Sequence, residues 1–225
     1  MSTARAGWAA PTGGAPRWLL LAALTAGCAC GGHTAPLPLL RSYRLQLPRH
    51  QLGRVTWLAQ LASDELAGML SPDGQLLAYA SDQKGQLDIW VKSLVTGLPR
   101  RITDDPAEDT QPAWSPDGRT LAFVSMRADA KGDLYLWRDG RLQRLTDART
   151  ADAFPTFAPD GRSLYYSAGE PGRERVQRLV LATGRIEALT ASGATHPALS
   201  ADGRWLAYTR STAGGVARVE VLRLA

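Results

Sequence analysis

The sequence predicts an all-β fold, a β-propeller of four four-stranded blades. Three observations predict it. A tight turn of Pro-Asp-Gly type recurs four times at nearly constant spacing. The same short strand follows each turn, with an aromatic residue five places after the glycine. A second glycine heads another strand 21, 21, 21 and 19 residues before the turn glycines.

The turns are Ser71-Pro72-Asp73-Gly74, Ser115-Pro116-Asp117-Gly118, Ala158-Pro159-Asp160-Gly161 and Ser200-Ala201-Asp202-Gly203. Their aspartates stand 44, 43 and 42 residues apart, a period that suits a four-stranded propeller blade. Proline presets φ for a tight turn, aspartate hydrogen-bonds the backbone ahead, and glycine accepts a positive φ. Each turn joins two apolar stretches, so each reads as a hairpin.

The strand after each turn carries Leu77-Ala78-Tyr79, Leu121-Ala122-Phe123, Leu164-Tyr165-Tyr166 and Leu206-Ala207-Tyr208. The strand before it carries Pro112-Ala113-Trp114, Pro155-Thr156-Phe157 and Pro197-Ala198-Leu199. A third strand alternates large residues, as in Asp88 to Val91 and Asp133 to Trp137. Alternation over short runs between turns is a β signature. The fourth strand follows Gly97, Gly140 and Gly184, and a further copy, Arg54-Val55-Thr56-Trp57-Leu58, follows Gly53. The chain's last stretch, Val216 to Ala225, reads as a third strand. The segment at 54–58 is therefore expected to complete the last blade and close the ring, which removes an exposed sheet edge. The alternative is an open arc that pairs with a second chain.

The string Gln111-Pro112-Ala113-Trp114-Ser115-Pro116-Asp117-Gly118-Arg119-Thr120-Leu121-Ala122-Phe123 resembles the WD40-like (PD40) repeat of the TolB family, as do its three sister strings. The resemblance covers residues 53–225. It implies a periplasmic or surface propeller that binds other proteins. TolB itself has six blades and an N-terminal α/β domain, so the resemblance implies a TolB-like protein and does not extend to the partners of the Tol machinery. The same repeat forms the propeller of prolyl-oligopeptidase-type peptidases, which need a separate hydrolase domain.

The first segment reads as an export signal. Arg5 and Arg17 precede an apolar run from Trp18 to Leu24, and small residues follow. That run is shorter than the ~20 residues a transmembrane helix needs. Leu24-Thr25-Ala26-Gly27-Cys28 resembles a bacterial lipobox, with the leucine one place further from the cysteine than usual. Cys28 is the expected lipidation site. Cys28 and Cys30 are the only cysteines, so no disulfide is expected in the repeats. The expected organisation is a lipoprotein signal peptide over 1–27, a flexible tether over 28–52 rich in Gly and Pro, and the propeller over 53–225.

The formal net charge is +5, but the basic residues are dispersed, and clustering is what marks a nucleic-acid surface. No nucleic-acid partner is expected. The three histidines are His33, His50 and His196. A nucleophile triad needs a histidine beside Ser or Cys and an acid, and no Gly-x-Ser-x-Gly elbow occurs. A zinc site needs three or four clustered ligands, whereas the repeats hold one histidine and no cysteine. No catalytic residue, metal or cofactor is expected.

One constellation points to binding. Glu65, Asp109 and Asp152 stand three residues before Gly68, Pro112 and Pro155, and Ala194 holds the fourth place. Gln111, Phe154 and His196 directly precede the prolines. This loop enters the innermost strand near the channel mouth. The candidate channel-mouth residues are Glu65, Asp109, Gln111, Asp152 and His196. They read as a polar rim for a cation, a basic peptide or a small ligand; alternatively, each acid caps its own loop. The functional expectation is a non-enzymatic, envelope-tethered scaffold on the periplasmic or cell-surface side of a bacterial membrane. Its partner is an envelope protein, and it is held to the membrane by a lipid. A small-ligand or cation binder is the second reading, and a hydrolase or lyase using His196 the third.

Overall fold

A computed structural model describes residues 64–147, 150–211 and 216–224. These residues form fifteen strands in four antiparallel sheets. Blade 1 holds β1 (Glu65–Leu70), β2 (Leu76–Ser81), β3 (Asp88–Ser93) and β4 (Pro99–Arg101). Blade 2 holds β5 (Asp109–Trp114), β6 (Leu121–Ser125), β7 (Asp133–Arg138) and β8 (Arg141–Arg144). Blade 3 holds β9 (Ala151–Phe157), β10 (Ser163–Gly169), β11 (Arg175–Val180) and β12 (Arg185–Ala188). Blade 4 holds β13 (Ala194–Leu199), β14 (Trp205–Ser211) and β15 (Ala217–Arg223). The innermost strands β1, β5, β9 and β13 adjoin one another in turn, which makes the arrangement a propeller. The strand expected over 54–58 lies outside the described residues, as do the signal and tether segments.

The turns form as their chemistry demands. Asp117 Oδ1 accepts hydrogen bonds from Ser115 Oγ at 2.5 Å and Arg119 N at 3.0 Å, and Ser115 Oγ accepts from Thr120 N at 2.9 Å. The first and last turns repeat this pattern through Ser71 and Asp73 and through Ser200 and Asp202. The glycine takes φ of 67 to 70° in all four turns, a conformation free of strain only for glycine. Gly118, Gly161 and Gly203 each lie near the proline of the preceding blade's turn, so the turns also stack from blade to blade.

A second device repeats at the outer edge. Thr103, Thr146 and Thr190 accept, through their hydroxyls, the amides of Ile89, Leu134 and Val176, each at 2.9 Å. A side chain thus takes the place of a ladder carbonyl where the short fourth strand runs out.

The core is divided among the blade joints. Ala78, Ala80, Ile89 and Val91 of blade 1 meet Trp114, Leu121, Phe123 and Tyr135 of blade 2. Ala113, Ala122, Val124 and Leu134 of blade 2 meet Phe157, Leu164, Tyr166 and Leu179 of blade 3. Tyr165 and Val176 of blade 3 meet Ala194, Leu206 and Tyr208 of blade 4. Each joint receives from the next blade the leucine three places after its turn glycine, Leu121, Leu164 or Leu206, and at least one aromatic. Trp114 also donates its indole N–H to Met69 O at 3.2 Å, so its polar edge is satisfied in the joint.

Candidate functional site

Each innermost strand carries a bulge at the same place. The register of β1 on β2, β5 on β6, β9 on β10 and β13 on β14 shifts there. One residue in each bulge is left-handed: Ala67, Gln111, Phe154 and His196, with φ of 52, 54, 55 and 55°. All four directly precede Gly68 or the prolines. A non-glycine residue in this region costs about 1–2 kcal/mol, and bulges re-aim side chains at functional sites. Four equivalent instances make this a property of the repeat.

The bulges bring three of these side chains into a row across blades 2, 3 and 4. Gln111 Oε1 accepts a hydrogen bond from Phe154 N at 2.5 Å. The Phe154 and His196 rings stack with centroids 3.7 Å apart and planes 29° apart. His196 N donates to Ser167 Oγ at 3.1 Å, and its Nδ1 lies 2.9 Å from Thr195 Oγ1. Burial holds the His196 imidazole below its ordinary pKa, and Glu174 offsets only part of that. Gln111 and Phe154 are half-buried and His196 is exposed. The result is an aromatic and amide platform at the bulges of three inner strands.

The acids of the expected rim are placed differently. Glu65 is half-buried, with Oε1 lacking a partner. Asp109 and Asp152 are buried, not displayed on a rim. Each sits at a blade joint, where its amide donates to the preceding blade: Asp109 N to Leu87 O at 2.8 Å and Asp152 N to Gly132 O at 3.1 Å. Ala194 N makes the same bond to Glu174 O at 2.9 Å. The backbone there is structural, and the loop geometry turns each aspartate inward.

Sequence reasoning missed two further buried acids at the same joints, Asp88 and Asp133, which open β3 and β7. Their place at the head of an alternating strand was visible, but period alone does not say which face is sealed. Asp88 accepts from Arg101 Nε at 2.9 Å, and Asp109 from an Arg127 guanidinium nitrogen at 2.7 Å. Asp133 accepts from Arg144 at 2.8 Å. Burial still pushes the Asp88 and Asp133 carboxyls above the usual range, despite Arg101 and Arg144. No arginine among the described residues is paired with Asp152, and burial pushes its carboxyl up to about 7.

Cys28 lies outside the described residues. Among the described residues, no group of three or more His, Cys, Asp or Glu is arranged to hold a metal ion. No helix among them is long and apolar enough to cross a membrane.

Repeat, bulge and blade joint together define a β-propeller. Residues 46–137 match the family model described as PD40, TolB beta propeller domain. The Tol-Pal system protein TolB of Alcanivorax borkumensis is 30% identical over 86 residues, covering 38% of this chain and 20% of that protein. An uncharacterized peptidase of Bacillus subtilis, YuxL, is 34% identical over 89 residues, covering 34% of this chain and 14% of that one. The crystal structure of TolB from Acinetobacter baumannii superposes with a TM-score of 0.65 at 22% identity, over 74% of this chain and 42% of that chain. The chain spans 14% and 20% of these two curated relatives. What is shared is the TolB-like propeller.

Proposed function

We propose that the chain is an exported, lipid-anchored TolB-like propeller that binds an envelope protein and performs no catalysis. The observation that carries this reading is the row of Gln111, Phe154 and His196. It is a preformed, partly exposed aromatic platform, held by strained backbone and cross-blade hydrogen bonds. Rigid aromatic anchors of this kind dominate protein-binding sites. Relatives named as TolB of the Tol-Pal system support an envelope role. The peptidase-named relatives are matched over only 10–14% of their lengths, and a propeller accompanies many functions. The His196 ring stacks on Phe154 and its Nδ1 meets the adjacent Thr195 hydroxyl, while its backbone N donates to Ser167; in this reading these contacts are packing. In this reading residues 1–27 are a signal peptide, Cys28 carries the lipid, 28–52 are a tether, and 54–58 supply the outer strand of blade 4.

A cross-linking pull-down from solubilised membranes tests the partner. A stoichiometric envelope protein is expected, with loss of capture in a Phe154→Ala, His196→Ala variant. Cys28→Ala is expected to release the protein into the soluble fraction; a variant still membrane-bound contradicts the anchor. The second reading, a cation or small ligand at the mouth, draws on the unpartnered Glu65 Oε1. It predicts a rise in melting temperature with a divalent cation, lost in Glu65→Gln.

A further inference from the structure

The joints between blades 1 and 2 and between blades 2 and 3 are built alike but charged differently. In the first, the buried Asp88 and Asp109 each receive a guanidinium, from Arg101 and Arg127. In the second, Asp133 receives Arg144, and among the described residues no arginine is paired with Asp152. The position that supplies the cation in the first joint can be located in the second. Arg127 stands two residues past Ser125, the partner of Asp109 across the β5–β6 ladder. Two residues past Ala168, the partner of Asp152 across the β9–β10 ladder, stands Glu170. Glu170 is itself paired with Lys131, at 2.6 Å, and so that lysine is occupied.

Asp152 is 1% exposed, and neither of its carboxyl oxygens has a hydrogen-bond partner. The Thr146 hydroxyl oxygen accepts from Leu134 N; it tempers the environment of Asp152 without forming a well-shaped bond to it. Among the described residues, the charged and titratable groups around it are Asp133 at the head of β7, its partner Arg144 on β8, Asp129 in the loop before β7, and Tyr166 on β10. β5 contributes Asp109, which is engaged by Arg127, and β13 faces β9 from an alanine head, Ala194. A second buried carboxylate near Asp133, whose arginine is bonded to Asp133, is a costly arrangement, and such a pair resolves by keeping one proton.

We infer that the joint between blades 2 and 3 is a proton-operated latch, closed when Asp152 is neutral and loosened when it ionises against Asp133. Glu170, standing where the other joint has Arg127, is what leaves the latch open to titration.

The sign follows from linkage. A carboxyl raised in the folded state holds its proton over a window where the unfolded chain has lost it. Its contribution to stability is complete below the unfolded value near 3.8, falls as pH rises, and is gone above about 7. The full-length protein is melted from about pH 4 to about pH 8, beside Asp152→Asn, whose amide mimics the neutral acid. The wild-type melting temperature, measured against that variant, is expected to drop by on the order of 5–10 °C across the window and then level off. Glu170→Arg is expected to supply the absent cation and to shrink that drop. Infrared spectra give a direct reading independent of folding yield. A protonated-carboxyl band present at about pH 5 is expected to fade toward about pH 8 in the wild type, and its component that titrates near 7 to be lost in Asp152→Asn. Parallel melting curves for the wild type and Asp152→Asn, or a band unaffected by Asp152→Asn, overturn the latch.

Discussion

The rings of Phe154 and His196 stack at 3.7 Å between centroids, although they come from successive repeats and both lie in left-handed backbone. The contact buries part of the imidazole, and burial is the larger cause of its lowered pKa. The wild-type His196 resonance is expected to titrate below 6.5 by NMR, and Phe154→Ala is expected to move the midpoint back up. An unmoved midpoint would mean that the ring is desolvated by something other than Phe154.

Ala67 offers a clean measure of the backbone strain. It takes the same left-handed φ as Gln111, Phe154 and His196, but its methyl makes no cross-blade bond of the kind Gln111 makes. Ala67→Gly is expected to stabilise by roughly 0.5–1 kcal/mol, and Ala67→Val to destabilise by more than that. Urea denaturation checks both.

Leu134 lies at 0% exposure in the joint between blades 2 and 3. Leu134→Ala is expected to cost about 2–5 kcal/mol through lost burial and the cavity left behind. Leu142, on the outermost strand and exposed, is expected to tolerate alanine within about 0.5 kcal/mol. Chemical denaturation of the two variants separates core from edge.

The turns make a further pair of predictions. Ser115 is buried and bridges Asp117 and Thr120 N. Ser115→Ala leaves that amide unpaired and is expected to cost about 1–2 kcal/mol. The serine hydroxyls at Ser71, Ser115 and Ser200 hold the carboxyls of Asp73, Asp117 and Asp202 below the usual range, and Arg210 does so for Glu220. Lowered folded values stabilise above the unfolded pKa, and that contribution is lost as pH falls through the depressed values. Stability is therefore expected to fall steeply below about pH 4, with Ser200→Ala flattening the acid limb.

Much of the fold was legible because the repeat speaks through local chemistry. The Asp-Gly turns, the aromatic five places on and the glycine-headed outer strands of blades 1 to 3 each have a short-range cause, and each appears at its expected place. The site was less legible. Glu65, Asp109 and Asp152 share one repeat position, yet Glu65 is half-buried and the two aspartates are sealed. Which face a residue shows is decided by the neighbouring blade, through contacts some forty residues away. The left-handed bulges were hidden for a related reason: Ala67, Gln111 and Phe154 are not residues that favour positive φ, though His196 is, and a following proline biases its predecessor toward extended backbone. Trp205 shows the same limit. It sits on a strand like Trp90, but it is 45% exposed where Trp90 is 7%.

The account turns on the row of Gln111, Phe154 and His196 as the binding surface. The most direct measurement is cross-linked capture from solubilised membranes by the wild-type protein and by Phe154→Ala, His196→Ala, with circular dichroism confirming equal folding. The account predicts one stoichiometric envelope partner for the wild type and at least about a tenfold loss for the variant, which is about 1.4 kcal/mol or more of binding energy. Equal capture by the two proteins would contradict it.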